Sequence, residues 1–462
     1  QHPLYDTLPV GQDVIFTVSN TSVVSSYTNV KFIAEVHISS TFAPNPSTNT
    51  DVVGTFKTTP NNAGVGMFDF SSIIESFVNA DNLARQGSAY KTVVNTSETN
   101  VPIHLIDKFS GNVNSMRYLV IQFKVQYIDA AGNLVNTGAV NSDLYQLLNG
   151  YLKYTDVLDL VGNNFGYNLN SFNLNGSSKS FLTNAPTTQY ANLEDYGTLG
   201  LWMVNGYSAS NVNGIGGVRA TYYDSDGNYI SDEEIYSYAA NGGFNTNNGY
   251  IGTNLLFFGC FPANLQGSST MFQNLVSAGT IQGGHYELVV LSDPGQIISL
   301  IYTVNLNCPT LKGFEPIRLT WLNQWGTWDY YTFTMKSSKT ISTQGSTYQQ
   351  LAGSWNQSAY RIDSFKGGKK AFRVNATEKI SMNTDFVSES ESEWFEELIN
   401  SPEVYILKGY EDVVETSSAL NQYVTPVRLT TSNYTKKTVA NDKLMQYTFE
   451  VEKSKTLRTQ AV

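Results

Sequence analysis

This sequence predicts a large, mainly β protein, and three observations carry that prediction. Aromatic residues make up 13% of the chain, whereas charged residues make up only 15%. Turn formers recur throughout, with 36 glycines, 45 asparagines and only 13 prolines. Between them, short apolar stretches alternate with polar residues at period two, the pattern of strands with one buried face. The composition has too few charges and too many aromatics for disorder, and too little Ala, Leu, Glu and Lys for a helical bundle.

The elements follow in order. VIFTV (14–18) and KFIAEVHI (31–38) read as strands. In the second, Phe32, Ala34, Val36 and Ile38 share one face, which places His37 beside Glu35 on the opposite, wetter one. SSIIESFV predicts a short helix, with Ser72 and Glu75 as a capping-box pair and Ile74, Phe77 and Val78 as its apolar stripe. RYLVIQFKVQYI puts Leu119, Ile121, Phe123, Val125 and Tyr127 on one face and Gln122, Lys124 and Gln126 on the other, a half-buried strand. VQYIDAAGNLV (125–135) aligns without gaps to ATYYDSDGNYI (220–230), matching Asp129 to Asp224 and Gly132–Asn133 to Gly227–Asn228. In each copy the Asp bonds its own backbone and the Gly supplies a positive φ between two strands. Tandem β modules account for this repeat, and so does reuse of one good hairpin turn.

Three modules are expected: residues 1–165, 166–310 and 311–462, with seams in the loop VGNNFGYN and after Cys308. The third opens with RLTWLNQWGTWDYYTFTMK and continues through RIDSFKGGKKAFRV, whose Gly367–Gly368 pair suits a two-residue turn. SESESEWFEELINSP then predicts a helix near 389–399, capped by Ser388 with Glu391 or Ser390 with Glu393 and stopped by Pro402. Trp394 and Phe395 are its structural anchors, lying with Leu398 and Ile399 on one side. LMQYTFEVE closes the module as a strand. The expected fold is thus a tandem of β-sandwich-like modules, the last a sandwich or small barrel with one packed helix.

Charge narrows the function. Residues 1–310 carry 10 Lys and Arg against 22 Asp and Glu, while 311–462 carry 18 against 17. An acidic front two-thirds argues against direct nucleic-acid binding, which needs clustered bases. No run approaches the ~18 apolar residues of a membrane span, and QHPLYDTLPV lacks the charged and apolar regions of a signal peptide. A soluble chain is expected, with an initiator Met or longer leader ahead of Gln1.

Candidate chemistry is sparse. Cys260 and Cys308 read as buried free thiols, with one bridge as the alternative. His104 and His285 have no nucleophile elbow near them. DSDGNYISDEE resembles a calcium loop only in composition, because Gly227 follows Asp226 directly. GGKK lacks the spacing of a phosphate loop. No cofactor, metal or catalytic residue is expected.

Interface candidates are clearer. Trp325, in the turn NQWG, is expected at the surface, where it would anchor an interface or stack on a sugar; others of the Trp321, Trp328, Tyr330 and Tyr331 cluster are expected in the core. Lys366, Lys369 and Lys370 form a basic hairpin tip with Arg373. In KSKTLRTQAV, Lys453, Lys455 and Arg458 surround few apolar residues, so this end is expected as an arm on a neighbouring subunit; the alternative is an extension of the last strand in its own chain.

RLTWLNQWGTWDYYTFTMKSSKT, YQQLAGSW, GGKKAFRVNA, EWFEELINSPEVYIL and NDKLMQYTFEVEKSKT resemble segments of tailed-bacteriophage virion structural proteins, particularly from phages of marine and Bacteroidetes hosts. PLYDTLPVGQDVIFTVSN, KFIAEVHIS, GMFDFSSIIESFV and FLTNAP are similar to the same group. The resemblance implies a non-enzymatic tail, neck or baseplate component in the virion, assembled in the bacterial cytoplasm, with copies of itself in a ring and other virion proteins as partners. A glycan-binding tailspike or surface lectin is the alternative, and a bacterial adhesin or surface-layer protein is a further one.

Overall fold

The computed structural model describes the chain apart from residues 41–43, 48–50, 85–100, 154–165, 204–214, 238–254, 293–294, 308–313, 355–357, 408–422, 432, 436–444 and 459–462. The fold is mainly β, and the chain divides into two compact units. The first holds Gln1–Pro309 and the excursion Leu322–Tyr330; the second holds Thr310–Trp321, Tyr331–Lys408 and Tyr423–Val462. The seam expected near 165, like Cys308, lies outside the described residues, while Cys260 is a buried free thiol.

The first unit begins with β1 (Thr7–Pro9), β2 (Ile15–Ser19), helix α1 (Thr21–Ser26), β3 (Thr28–Ser39), β4 (Val52–Thr58) and β5 (Val65–Asp69). Helix α2 (Ser71–Ile74) follows, then β6 (Phe109–Gly111), β7 (Met116–Ile128), β8 (Leu134–Asn136), β9 (Val140–Asn141) and β10 (Tyr145–Leu148). The main sheet runs β1-β10-β7-β3-β4, with β1 parallel to β10, the other neighbours antiparallel, and β8 and β9 on the flank of β7. A second sheet pairs β2 with β5. Period-two alternation accounts for the core between them: Phe32, Ala34, Val36, Leu119 and Ile121 meet Phe16 and Phe68, and the Phe16 ring stands edge-on to Tyr145 at 5.5 Å.

Two expectations are corrected in this region. The Ser72–Glu75 capping box does not form: α2 is a single turn whose cap is Phe70, two residues earlier, so Ser72 lies inside the helix, and Asp69 takes the Ser71 amide at 3.0 Å. His37 is fully buried rather than wet, and neither ring nitrogen has a hydrogen-bond partner. Alternation assigns His37 a face, but that face is covered too, as the buried Gln122 beside it shows. An ion pair on the same face, Lys124 to Glu35 at 2.9 Å, lies half-buried.

The next stretch supplies β11 (Thr188–Ala191), β12 (Thr198–Trp202), β13 (Ile215–Tyr223), β14 (Tyr229–Ser237) and β15 (Leu255–Gly259). Helices α3 (Pro262–Ser268) and α4 (Thr270–Ser277) come next, then β16 (His285–Ser292) and β17 (Tyr302–Leu306). Pro262 starts α3 where its missing N–H costs nothing, and the Ser269 hydroxyl caps α4 by accepting the Phe272 amide at 2.8 Å. The sheet runs β11-β17-β16-β13-β14, with β11 parallel to β17, and β12 pairs β15.

With β6, β8 and β9 set aside, this is strand for strand the plan of the first stretch. The opening strand lies parallel to the closing one; then follow the penultimate, third and fourth, while the second and fifth form a separate pair. Helical segments separate the fifth strand from the penultimate one in both. The two modules also share a strand, since β6 of the first extends the β12–β15 pair of the second. The sequence repeat marks a different likeness. Asp129 and Asp224 accept the amides of Asn133 and Asn228, both at 2.8 Å, and Gly132 and Gly227 have φ of 85° and 81°. The turns match, yet one follows the penultimate strand of its module and the other the third.

The second unit contains most of β18 (Ile317–Leu322), the end of β19 (Trp328–Phe333) from Tyr331 on, β20 (Ser337–Gln350), β21 (Gly353–Ser354), β22 (Arg361–Ile362) and β23 (Gly368–Asn383). Helix α5 (Glu389–Asn400), β24 (Val404–Leu407), β25 (Val424–Leu429) and β26 (Thr448–Lys453) complete it. One sheet runs β19-β18-β24-β25-β26-β23-β20. Ser388 and Glu391 form the capping box of α5, with the Ser388 amide donating to Glu391 Oε2 at 2.7 Å. The helix buries Trp394, Phe395 and Leu398; Trp394 packs on Trp321 at 4.9 Å and Phe395 on Phe449 at 5.4 Å.

Candidate interaction surface

A strand normally owes its stability to a buried face. β20 has none: all nine residues from Ile341 to Gln349 are exposed, on both faces. It pairs with β23 from Ser337 opposite Met382 to Gln350 opposite Gly368, with a bulge at Ser346/Thr347. β23 is itself supported by β26 only over Lys379–Asn383, and by a single further bridge between Ala376 and Leu457. Beyond that point the two strands continue as a ribbon with both outer edges open among the described residues. At ~3.3 Å per residue the seven free positions of β20, Gln344–Gln350, span roughly 23 Å. An isolated two-stranded hairpin is marginal in water.

The ribbon is also apolar and basic. Ile362, Phe365, Leu351 and Ile341 are 78%, 72%, 68% and 62% exposed. Residues 337–383 carry seven Lys and Arg against two Asp and Glu. Gly367 and Gly368 have φ of 95° and 75°, but the two-residue turn expected there does not form: Gly368 already pairs with Gln350, and the chain turns at Asp363–Lys366, where the Lys366 amide donates to the Asp363 carbonyl at 3.0 Å. Lys366 pairs with Asp363 at 3.1 Å and lies over the Phe365 ring, while Lys370 donates to the Phe365 carbonyl at 2.8 Å. Lys369 is exposed. The tip lysines are therefore partly occupied in shaping the turn that presents Phe365.

The remaining interface candidates fall elsewhere. Trp325 is 1% exposed, with its ring 4.1 Å from that of Phe172, so the expectation of a surface aromatic is corrected. NQWG is a turn, but a buried one. Asn323 Nδ2 donates to the Leu182 carbonyl, Thr327 Oγ1 and Asp329 Oδ1 at 3.0, 3.0 and 2.9 Å, while its Oδ1 accepts the Trp325 and Thr327 amides. Gly326 has φ 76°, and a Cβ there would lie 1.8 Å from the Asn149 carbonyl oxygen. Trp328 Nε1 donates to the Asp81 carbonyl at 2.9 Å, and Tyr330 OH meets His104 Nδ1 and Thr198 Oγ1, each at 2.9 Å. These contacts fix residues 322–330 in the first unit.

The expected arm at the chain end is corrected as well. Lys453 is the last residue of β26 and pairs with Glu378 at 2.6 Å; Leu457 exchanges both backbone hydrogen bonds with Ala376 of its own unit. As far as Leu457 the segment therefore extends the local sheet of its own chain; residues 459–462 lie outside the described residues. Lys455 and Arg458 are exposed.

Sequence reasoning found the basic tip but missed the ribbon behind it. The signal was present: SSKTISTQGSTYQQ has no apolar face at period two, so it cannot cover a core. A small cleft of about 130 Å³, lined by Leu193, Val276, Ile281 and Leu306 among others, has no titratable side chain in its wall. Among the described residues no helix is long and apolar enough to cross a membrane. No protein-family model matches the chain, and no curated protein sequence does so either.

Proposed function

We propose that the chain is a non-enzymatic structural protein that assembles with copies of itself and neighbouring proteins through the β20–β23 ribbon. The observation that carries this reading is a ribbon about seven residues long with exposed apolar side chains and, among the described residues, open edges and no layer beneath it. Exposed apolar patches and open strand edges are the features that soluble chains suppress unless another chain covers them. Rotationally repeated contact between such an arm and a different surface of the next copy closes a ring. Together with the resemblance of its segments to virion proteins, this supports a place in a phage tail, neck or baseplate. The glycan-binding alternative loses its principal platform, because Trp325 is buried.

The test is the full chain against a shortened one. Thr343 and Ala376 are directly opposed, so replacing residues 344–375 with Asn-Gly closes the ribbon on a two-residue turn. Light scattering coupled to gel filtration, with negative-stain microscopy, should show an oligomer for the full chain and a monomer of unchanged melting temperature for the shortened one. The same mass for both, or a monomeric full chain at every concentration, would overturn the reading.

A further inference from the structure

Taking assembly through the ribbon as proposed, we infer that its docking site is the edge strand β14 on a second copy of this chain. β14 ends its sheet, so one row of its backbone amides and carbonyls is open among the described residues. It has nine residues, enough to pair the eight of β23, Gly368–Asn375, whose outer edge is open among the described residues. It also lies in the most acidic part of the chain: Asp224, Asp226, Asp232, Glu233 and Glu234 fall within eleven positions that contain no base. Glu233 is taken up internally by Tyr222 at 2.7 Å; Asp232, which accepts the Tyr229 hydroxyl, and Glu234, opposite Arg219 of β13, are exposed, and Tyr229 is itself 58% exposed.

Charge selects the partner. Carboxylates along an edge strand stop it from pairing with another acidic edge, its own equivalent included, and leave a basic strand as the favoured occupant. This chain contains such a strand. Residues 341–377 carry five bases against one acid, and Lys369, Lys370 and Arg373 lie on β23 where it has left β26 and its outer edge is open. Addition of β23 to β14 satisfies both open edges by backbone hydrogen bonding. It sets bases against Asp232 and Glu234 and gives Phe372, 55% exposed, an apolar neighbour in Tyr229. The ribbon on one surface and β14 on another make the contact heterologous, as a ring requires.

Charge reversal and exchange in the full chain test this. Asp232→Lys with Glu234→Lys should weaken assembly about tenfold or more, and Lys369→Glu, Lys370→Glu and Arg373→Glu together should do the same. Combining both sets in one chain should restore assembly to within about threefold of the parent, and the parent's assembly should weaken with added salt. Melting temperatures near the parent's establish that each variant is folded. In a second measurement, unmodified chains, half of them isotope-labelled, are coupled with a zero-length carbodiimide reagent. Cross-linked peptides joining the 366–373 lysines to Asp232 or Glu234 should carry mixed labels, and this result does not depend on any variant folding. If the β14 reversal leaves assembly intact while shortening the ribbon abolishes it, the docking site is elsewhere and the inference fails alone. If shortening leaves assembly intact, the functional reading fails first. Cross-links that carry one label only mean docking within a chain and overturn the inference.

Discussion

Replacing Asn323 with Asp changes one nitrogen to oxygen and almost no volume, so it isolates the hydrogen bonding that fixes residues 322–330. The side chain is 5% exposed, and the two N–H bonds of its amide are shared among three acceptors, on Leu182, Thr327 and Asp329. An ionised carboxylate donates none. With two donors lost at ~1 kcal/mol each, the substitution costs about 2 kcal/mol. It also sets a carboxylate at the 2.9 Å contact with Asp329 Oδ1. Two unit charges at that distance repel by on the order of 5 kcal/mol at an effective dielectric constant of ~20, which the pair relieves by keeping one proton. The introduced carboxyl therefore has a folded pKa above its unfolded value of ~3.9, and the penalty is greatest at high pH and shrinks as the proton returns. Urea unfolding followed by tryptophan fluorescence should show Asn323→Asp about 4–6 kcal/mol less stable than the parent at pH 8, and about 2–3 kcal/mol less stable at pH 5. A loss below about 1 kcal/mol at both pH values, or an equal loss at both, would show that the network does not hold the tip.

Three further outcomes are expected. Trp394→Ala removes a ring that is 2% exposed and packed on Trp321, so it should cost about 3–5 kcal/mol, whereas Glu393→Ala on the exposed side should change stability by less than ~0.5 kcal/mol; chemical denaturation of both variants reads the contrast. Gly326→Ala forces a side chain into a left-handed backbone and against the Asn149 carbonyl, and should lower the melting temperature of the first unit more than Gly132→Ala, where a Cβ meets nothing within 4 Å; scanning calorimetry reads this. Burial holds the His37 pKa below its ordinary value of 6.5, outweighing the nearby Glu35 and Asp51 carboxylates. Its neutral form is thus favoured by folding, and the stability it contributes is complete above pH ~6.5 and is lost as pH falls through that value towards the folded pKa. Melts from pH 7.5 to 5 should decline more steeply in the parent than in His37→Leu, and parallel declines would refute this.

Much of the fold was legible because β structure writes itself at period two. The strands around Phe32 and Leu119, and the helix carrying Trp394, follow from alternation and from a Ser388–Glu391 cap that the structure contains. What alternation cannot give is the surroundings of the second face, which is why His37 and Trp325 were expected near water. A turn sequence such as NQWG specifies backbone conformation; whether the turn meets solvent or fits among the loops around Leu182 and Asn149 depends on contacts more than a hundred residues away in sequence. The seven-strand plan common to both modules was illegible for a related reason. Strand order is set by pairing partners, and the one segment of repeated sequence marks hairpins that hold different places in that plan.

The parallel pairing of opening and closing strands bears on how such a protein is enlarged or trimmed. A module that begins on Thr7–Pro9 and ends on Tyr145–Leu148 has its entry and exit on adjacent strands of a single sheet edge, roughly 7 Å apart along the strands because Thr7 lies opposite Gln146, two residues before Leu148. A chain routed in this way accepts another copy of the module by splicing at the linker, with no rerouting of what lies on either side. Phe109–Gly111 sets the limit to that modularity, because it leaves its own module to complete the small sheet of the next. A cassette cut cleanly at the linker strips the second module of an edge strand; one that carries residues 109–111 with it does not.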